Sequence, residues 1–323
     1  MGLPSFIAKK VLFAILTILI IMTLNFVIFR LMPGDPVAML ADQIRLRPEQ
    51  VQRLYELFGL GKPLWEQYVL YMSQTLQGFL GYSYYTQHPV TQDIMDRLPN
   101  TLLLIGTSTI LSIVIGMVIG IVAAAKRGSA VDIGAISFGF LGNSVPTLWL
   151  GLLLLLIFGV NLQWFPLRGT TSVPSPTDPI ALVLDIMWHM TLPTLVLVII
   201  QFGGFALVMR AAMMDVLTED YITLARAKGV EERTVLYKHA LRNAMLPMVT
   251  IIALAFGFTF SGALLTETVF SWYGLGRYIW DAILRQDFPA LQGIFFIISV
   301  MVVVANLIAD IIYGFLDPRV KRD

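Results

Sequence analysis

The chain has 323 residues, 57% of them apolar and 13% charged, with 22 Lys and Arg against 21 Asp and Glu and no cysteine. Soluble domains carry about a quarter charged residues, so this balance, with a mean hydropathy of +0.77, points to an integral membrane protein. The net charge of +1 gives no basic field for nucleic acid, and the lack of cysteine excludes disulfides, thiolate zinc sites and cysteine nucleophiles.

A helix needs about 20 mainly apolar residues to cross the hydrocarbon core. Six apolar runs of roughly that length occur, at 11–29, 101–125, 133–160, 190–209, 248–265 and 291–315, uncharged except for Asp310 in the last. The first follows Lys9 and Lys10, is too long for the h-region of a secretory signal, and leads into Pro33-Gly34-Asp35-Pro36 instead of a cleavage site, so it is expected to stay as a permanent helix. Residues 33–99 then form a small external cap. Pro48-Glu49-Gln50 opens a helix-like stretch with Val51, Leu54 and Phe58 on one face, ending at Gly59. Trp65, Tyr68, Tyr71, Tyr82, Tyr84 and Tyr85 follow, as expected of rings at headgroup level.

The second and third runs are separated by Lys126-Arg127-Gly128 and a few small residues, which predicts an antiparallel hairpin. Lys9, Lys10, Lys126, Arg127, Arg210 and the basic residues of 226–242 and 319–322 fall on one face. Arg168, Arg277 and Arg285 fall in the short loops of the other. Positive residues flanking spans are retained in the cytoplasm, so both termini are expected there. The expected fold is all-α and membrane-integral with six transmembrane helices. Residues 1–32 hold the N-terminus and first helix, 33–99 the cap, 100–316 a five-helix core, and 317–323 a cytoplasmic tail.

The longest cytoplasmic loop, 210–243, reads as helix, break, helix. Met213, Met214, Leu217, Tyr221 and Leu224 recur at helical spacing until Gly229 interrupts, in the manner of a C-terminal cap. A second helix is expected over 231–243, with Glu231 and Glu232 in its first turn and Lys238, His239 and Arg242 in its last, matching the helix dipole at both ends. An apolar stripe on such a pair needs cover, from the protein's own helix ends, from lipid, or from a docked partner.

The string Asp220-Tyr221-Ile222-Thr223-Leu224-Ala225-Arg226-Ala227-Lys228-Gly229, followed by His239-Ala240-Leu241-Arg242-Asn243-Ala244, resembles the coupling loop of ABC-importer permeases of the dipeptide, oligopeptide and nickel group. The wider superfamily begins this loop with Glu-Ala-Ala and ends it near Leu-Pro. Aligned on Gly229, this chain has Thr223-Leu224-Ala225 and Leu241-Arg242, similar to the variant in one of the two permeases of peptide systems. Further landmarks lie in family order: residues 30–36, Phe58-Gly59-Leu60 with Pro63, and Arg97-Leu98-Pro99-Asn100-Thr101. After them come Ser271-Trp272-Tyr273-Gly274-Leu275-Gly276-Arg277, Asp287-Phe288-Pro289 and Leu316-Asp317-Pro318-Arg319. Tyr273 replaces a usual proline, and Phe79 stands where Gly-Asp-Leu-Gly is common.

The resemblance implies a non-catalytic permease subunit of an ATP-driven importer of di- or oligopeptides in the cell (inner or plasma) membrane, with nickel or oligosaccharides as variants. It also implies a second related permease, two cytoplasmic ATPases holding ATP and Mg, and an external substrate-binding protein. Asp220, Tyr221, Ala225, Arg226, Ala227, Gly229, Glu231, His239 and Arg242 would then contact an ATPase. The chain has no Gly-x-x-x-x-Gly-Lys-Ser/Thr loop to cradle phosphates, and no cofactor of its own is expected.

His88, His189 and His239 lack the spacing of a metal site, and none is expected. Asn25, Gln201, Asn306 and Asp310 are polar at membrane depth, where interhelical hydrogen bonding is the commoner use. Gln201 and Asn306 are also candidates for the pathway, and Glu267, at the outer end of the fifth run, for a gate. Gly116-x-x-x-Gly120 and Gly257-x-x-x-Ser261 suit close helix packing. A self-sufficient ion-coupled transporter would need broken helices and midplane titratable groups, and an intramembrane enzyme would need facing nucleophiles or ligands. Few such groups occur. A receptor or scaffold with the same loop would differ only in its partner.

Overall fold

The computed structural model describes residues 3–31, 47, 49, 51–52, 55 and 61–316, with backbone alone for 3, 31, 250, 253–254, 256–262, 312–313 and 315–316. Of the helix expected over 48–59, Glu49, Val51, Gln52 and Tyr55 are described and all four are helical; the landmarks at 32–36 and 58–60, the side chain of Ser261 and the tail 317–323 lie outside the described residues.

The elements are α1 (Leu3–Leu31), α2 (Leu64–Leu76), α3 (Val90–Ala125), α4 (Ala130–Ser144) and α5 (Thr147–Leu154), which continues as a π-helical stretch Leu155–Asn161. Next come α6 (Pro179–Leu217), α7 (Asp220–Ala227) and α8 (Glu232–Thr234), which passes through a π-helical stretch Val235–Ala240 into α9 (Leu241–Val269). Then follow α10 (Leu275–Leu284) and α11 (Phe288–Leu316). No β-strand occurs among the described residues.

Among the described residues four helices, α1, α3, α6 and α11, are long and apolar enough to cross a membrane, and a fifth crossing arises if the bent pair α4–α5 counts as one. The run 133–160 is therefore not one straight helix: its halves meet at 100°. Val145 is extended at ψ 128° and Pro146 follows at φ −60°. Proline disfavours helical geometry in the residue before it and lacks the N–H that would continue the ladder.

The long helices overrun the apolar runs. The 36-residue α3 begins at Val90, carrying Pro99 inside it. The 39-residue α6 begins at Pro179, capped by Asp178, whose carboxylate accepts from the Ala181 N–H at 2.8 Å. At about 1.5 Å per residue, α6 is about 58 Å long, nearly twice the thickness of the hydrocarbon core.

The predicted hairpin forms: Lys126–Ser129 turn α3 into α4, with Gly128 at φ +74°. α3 packs along α6 where Gly116 and Gly120 bring the backbones together. A Cβ at either position would stand 2.6 Å from a carbonyl oxygen of Phe202 or Ala206. Asp132, at the start of α4, receives Arg210 of α6 in a two-pronged ion pair and the Gly128 N–H at 2.9 Å. On the opposite edge, α1 lies against α11. Asn25 donates to the Tyr71 hydroxyl at 3.1 Å and to the Gln292 carbonyl at 3.0 Å, the interhelical role expected of it. Asp310 of α11 pairs with Lys10 of α1 at 2.8 Å, likewise a contact between helices.

Candidate functional site

At the basic end of the bundle, α7 and α8 stand off the ends of α6 and α9. The stripe expected to run from Met213 to Leu224 is interrupted, because α6 stops at Leu217 and α7 starts at Asp220. Met213 is buried, whereas Tyr221 and Leu224 are exposed. The residue that α7 turns inward is Ile222, fully buried with Val235, Ala240, Ala244, Met209 and Met213. That small core seats the loop on both long helices.

Between α7 and α8 the chain makes a Schellman turn. Gly229, at φ +75°, donates to the Arg226 carbonyl at 2.9 Å, and Val230 donates to the Ala225 carbonyl at 3.2 Å. Across the turn Arg226 forms a bidentate pair with Glu232, at 3.1 and 2.7 Å. This hydrogen-bonded pairing holds the Glu232 carboxyl below its ordinary value and raises the Arg226 guanidinium. Asn243 donates to the Tyr221 hydroxyl at 2.5 Å, closing the loop from its far side.

The second helix does not end at Asn243 as expected. It enters α9 without a break, the π-helical stretch absorbing one extra residue per turn where Val235 and Ala240 face the core. Asp220, Tyr221, Arg226, Ala227, Gly229, Glu231 and Arg242 are exposed, while Ala225 and His239 are half-buried.

The opposite end is closed by a hydrogen-bond lock that joins three of the sequence landmarks. Glu267 is fully buried; its Oε1 accepts from the Thr101 hydroxyl at 2.7 Å, and its Oε2 from the N–H groups of Gly276 at 2.6 Å and Arg277 at 3.3 Å. Trp272 donates its indole N–H to the Asn100 carbonyl at 3.0 Å, and the Asn100 amide donates to the Tyr273 carbonyl at 2.8 Å. Arg97 lies over the rings of Tyr273 and Tyr278, 4.6 and 4.3 Å from their centroids. It also donates to the Asp93 carboxylate at 3.2 Å, which receives the Tyr278 hydroxyl at 2.8 Å. Burial, reinforced by Asp93, pushes the Tyr278 phenol well above its ordinary value. Asp287 accepts from the Ser83 hydroxyl at 2.5 Å and the Tyr85 N–H at 3.2 Å, tying the aromatic loop to α11.

Glu267 thus sits in the wall of the bundle. Gln201 is half-buried on α6 and Asn306 is exposed on α11. Ile222, Val235 and Ala240 escaped the sequence reading, although Ile222 was legible as the apolar residue three to four places from both Thr218 and Ala225. Asp132 also escaped it; a lone acid opening an apolar run beside a basic turn was the signal. Among the described residues no cluster of His, Asp and Glu could hold a metal.

A family model for binding-protein-dependent transport system inner membrane components matches residues 116–322, and one for the N-terminal part of such membrane components matches residues 3–105. The oligopeptide transport system permease protein AppB of Bacillus subtilis strain 168 is 37% identical over 320 residues, covering 99% of this chain and 100% of that one. The di/tripeptide transport system permease protein DppB of Pseudomonas aeruginosa strain UCBPP-PA14 is 36% identical over 332 residues, covering 98% and 99%. The dipeptide transport system permease protein DppB of Escherichia coli K12 is 36% identical over 335 residues, with the same coverage. The chain belongs to the family of binding-protein-dependent transport system inner membrane components, as a membrane-embedded permease subunit of an ABC importer.

Proposed function

We propose that this permease forms half of the pathway of an importer for di- or oligopeptides. A second related permease supplies the other half, two cytoplasmic ATPases carry ATP and Mg, and an external binding protein delivers substrate. The peptide assignment is supported by the relatives, all named for peptide transport. Nickel or oligosaccharide remains an alternative cargo. In this reading the basic end is cytoplasmic with both termini. The six crossings are α1, α3, the α4–α5 pair, α6, α9 and α11, and the chain itself catalyses nothing.

The observation that carries the reading is the α7–α8 pair. Its outer surface bears Tyr221, Leu224 and Tyr237, all exposed, while its inner surface is locked by Ile222 and Val235. Asp220, Tyr221, Ala225, Arg226, Ala227, Gly229, Glu231, His239 and Arg242 form the contact zone for an ATPase. When the ATPases close, a push on this pair passes directly into α6 through Met209 and Met213, and into α9 through the unbroken α8–α9 backbone. Packed cores convert small shifts into discrete rearrangements rather than bending. At the far end of α9, Glu267 carries the movement to α10 and thus serves an outer gate as its anchor. Gln201 and Asn306 are the pathway candidates.

The test is mild-detergent purification of the tagged chain from its native membrane, followed by mass spectrometry. Recovery of a second permease, ATPases with phosphate-binding loops and a binding protein that holds peptide is expected. Recovery of the chain alone, under conditions that keep other membrane complexes intact, would overturn the reading in favour of a self-sufficient transporter.

A further inference from the structure

The helix α6 is far longer than a membrane is thick. Counting about 20 residues from Arg210 at the basic end reaches Met190, which leaves the segment from Pro179 to His189 beyond the hydrocarbon core. One side of this extension is committed within the chain: His189 and Met190 are buried, Met190 beside Leu104 and Trp272. Asp185 is held by Ser172 through the backbone N–H and the hydroxyl, each at 2.7 Å.

The other side is bare and apolar. Ile180, Val183, Leu184, Met187 and Trp188 are exposed by 72, 56, 61, 56 and 46%. Their spacing of three and four residues places them in one stripe along the helix. Trp164, 59% exposed, extends the stripe sideways and is joined to it by the Trp188 indole, which donates to the Trp164 carbonyl at 3.0 Å. In the corresponding extension of α3, Val90 and Ile94 are covered by Leu275, Tyr278 and Ile279 of α10, and Met95 stands exposed next to Ile94 without forming a stripe.

We infer that this stripe is the seat of the second permease outside the bilayer, an inference that rests on the importer reading above. By that count from Arg210, the upper two turns of the extension stand clear of the lipid tails. The stripe runs along the flank of a membrane-crossing helix, so whatever covers it stands beside this chain in the membrane and not on top of it. It carries no charge, which suits a permanent interface; a binding protein that comes and goes would leave the stripe in water between visits. Six large side chains in one uncharged face are the kind of surface that a stable interface buries at its core. The exposed face also continues below the membrane boundary through Thr191 and Leu195, so one partner helix can cover both levels.

The test uses the whole transporter. A photo-crosslinking amino acid is placed at Val183, and separately at Leu184, in this chain. The expected adduct is with the second permease, in equal yield with and without the binding protein. An adduct with the binding protein alone, with lipid alone, or with another segment of this chain would overturn the inference. As a second measurement, Val183→Asp with Leu184→Asp should lower the second permease recovered with the tagged chain by about tenfold or more, since an unpaired charge at such an interface costs more than 1.4 kcal/mol. Unchanged recovery would also overturn the inference. Absence of any second permease from the wild-type preparation would instead reject the importer reading itself.

Discussion

The hydroxyl of Thr101 reaches Oε1 of Glu267 at 2.7 Å, joining α3 to α9 across 166 positions of sequence. The same hydroxyl accepts the Leu275 N–H at 2.8 Å, so one threonine holds the entry of α10 as well. Glu267 therefore gathers three helices at the end opposite the basic loop, accepting from a hydroxyl and two backbone N–H donors.

Removing that carboxylate should loosen this end of the bundle. Glu267→Ala strands the donors of Thr101, Gly276 and Arg277 and opens a cavity, at a cost of about 3 kcal/mol. Glu267→Gln keeps an acceptor for Gly276 and presents its amide to the Thr101 oxygen, so about 1 kcal/mol is expected. Thermal unfolding of the assembled complex in detergent would rank the variants. An alanine variant that melts with the wild type would remove Glu267 from this anchoring role.

Arg97 should not tolerate lysine. Its guanidinium plane lies over both Tyr273 and Tyr278 while donating to Asp93, and an ammonium offers neither the flat stacking surface nor the forked donors. Arg97→Lys is expected to lower stability by about 1–2 kcal/mol. Tyr278→Phe should cost a similar amount through the lost bond to Asp93. Because both variants damage one network, their effects should be less than additive in a double-mutant cycle on melting temperature.

The tight α3–α6 seam makes a contrasting pair of glycine substitutions informative. A Cβ at Gly120 would collide with backbone, whereas nothing lies within 4 Å of a Cβ at Gly106. Gly120→Val should leave little folded protein in the membrane, since neither backbone can withdraw without separating the helices. Gly106→Ala should be neutral or stabilising by about 0.5–1 kcal/mol, as alanine is the better helix former. Comparing the two by membrane expression and melting temperature would separate packing at Gly120 from general sensitivity of α3.

Much of this was readable in the residues, and what escaped has a physical reason. The Gly229 turn was legible because a glycine after a run of helix formers has one favoured use. The α3–α4 hairpin was legible because charge and glycine interrupt an apolar run abruptly. The break at Pro146 escaped because hydropathy reports burial in lipid and not chain direction. The continuation of α8 into α9 escaped because the charged turn around Lys238 and Arg242 resembles a helix end, although exposed cations on a continuous helix give the same pattern. The role of Glu267 depends on Thr101 and Gly276 arriving from other helices, which no local pattern contains.

The Arg226–Glu232 pair should add a small, pH-dependent contribution at the basic end. The folded carboxyl lies below its ordinary value, so the contribution is present above the ordinary Glu range and is lost as pH falls through the lower folded value. The side chains are 42% and 56% exposed, and screening keeps the effect under about 1 kcal/mol. Glu232→Gln should therefore scarcely change the melting temperature at neutral pH, and should reduce the already small acid dependence of the loop. A large loss of stability at neutral pH would show that Glu232 does more than pair with Arg226.

Gly229 offers the sharpest separation of structure from coupling. Nothing lies within 4 Å of a Cβ there, so the obstacle to substitution is the backbone, held at φ +75°. Asparagine visits that region readily, whereas a β-branched residue is strained by about 1–2 kcal/mol. Gly229→Asn should then preserve uptake, and Gly229→Val should distort the α7–α8 pair while leaving the buried Ile222 and Val235 to keep the subunit in the membrane. In reconstituted complexes the valine variant is expected to hydrolyse ATP without the matching increase in peptide uptake. If it transports as well as the wild type, the geometry of this turn does not couple the ATPases to the pathway.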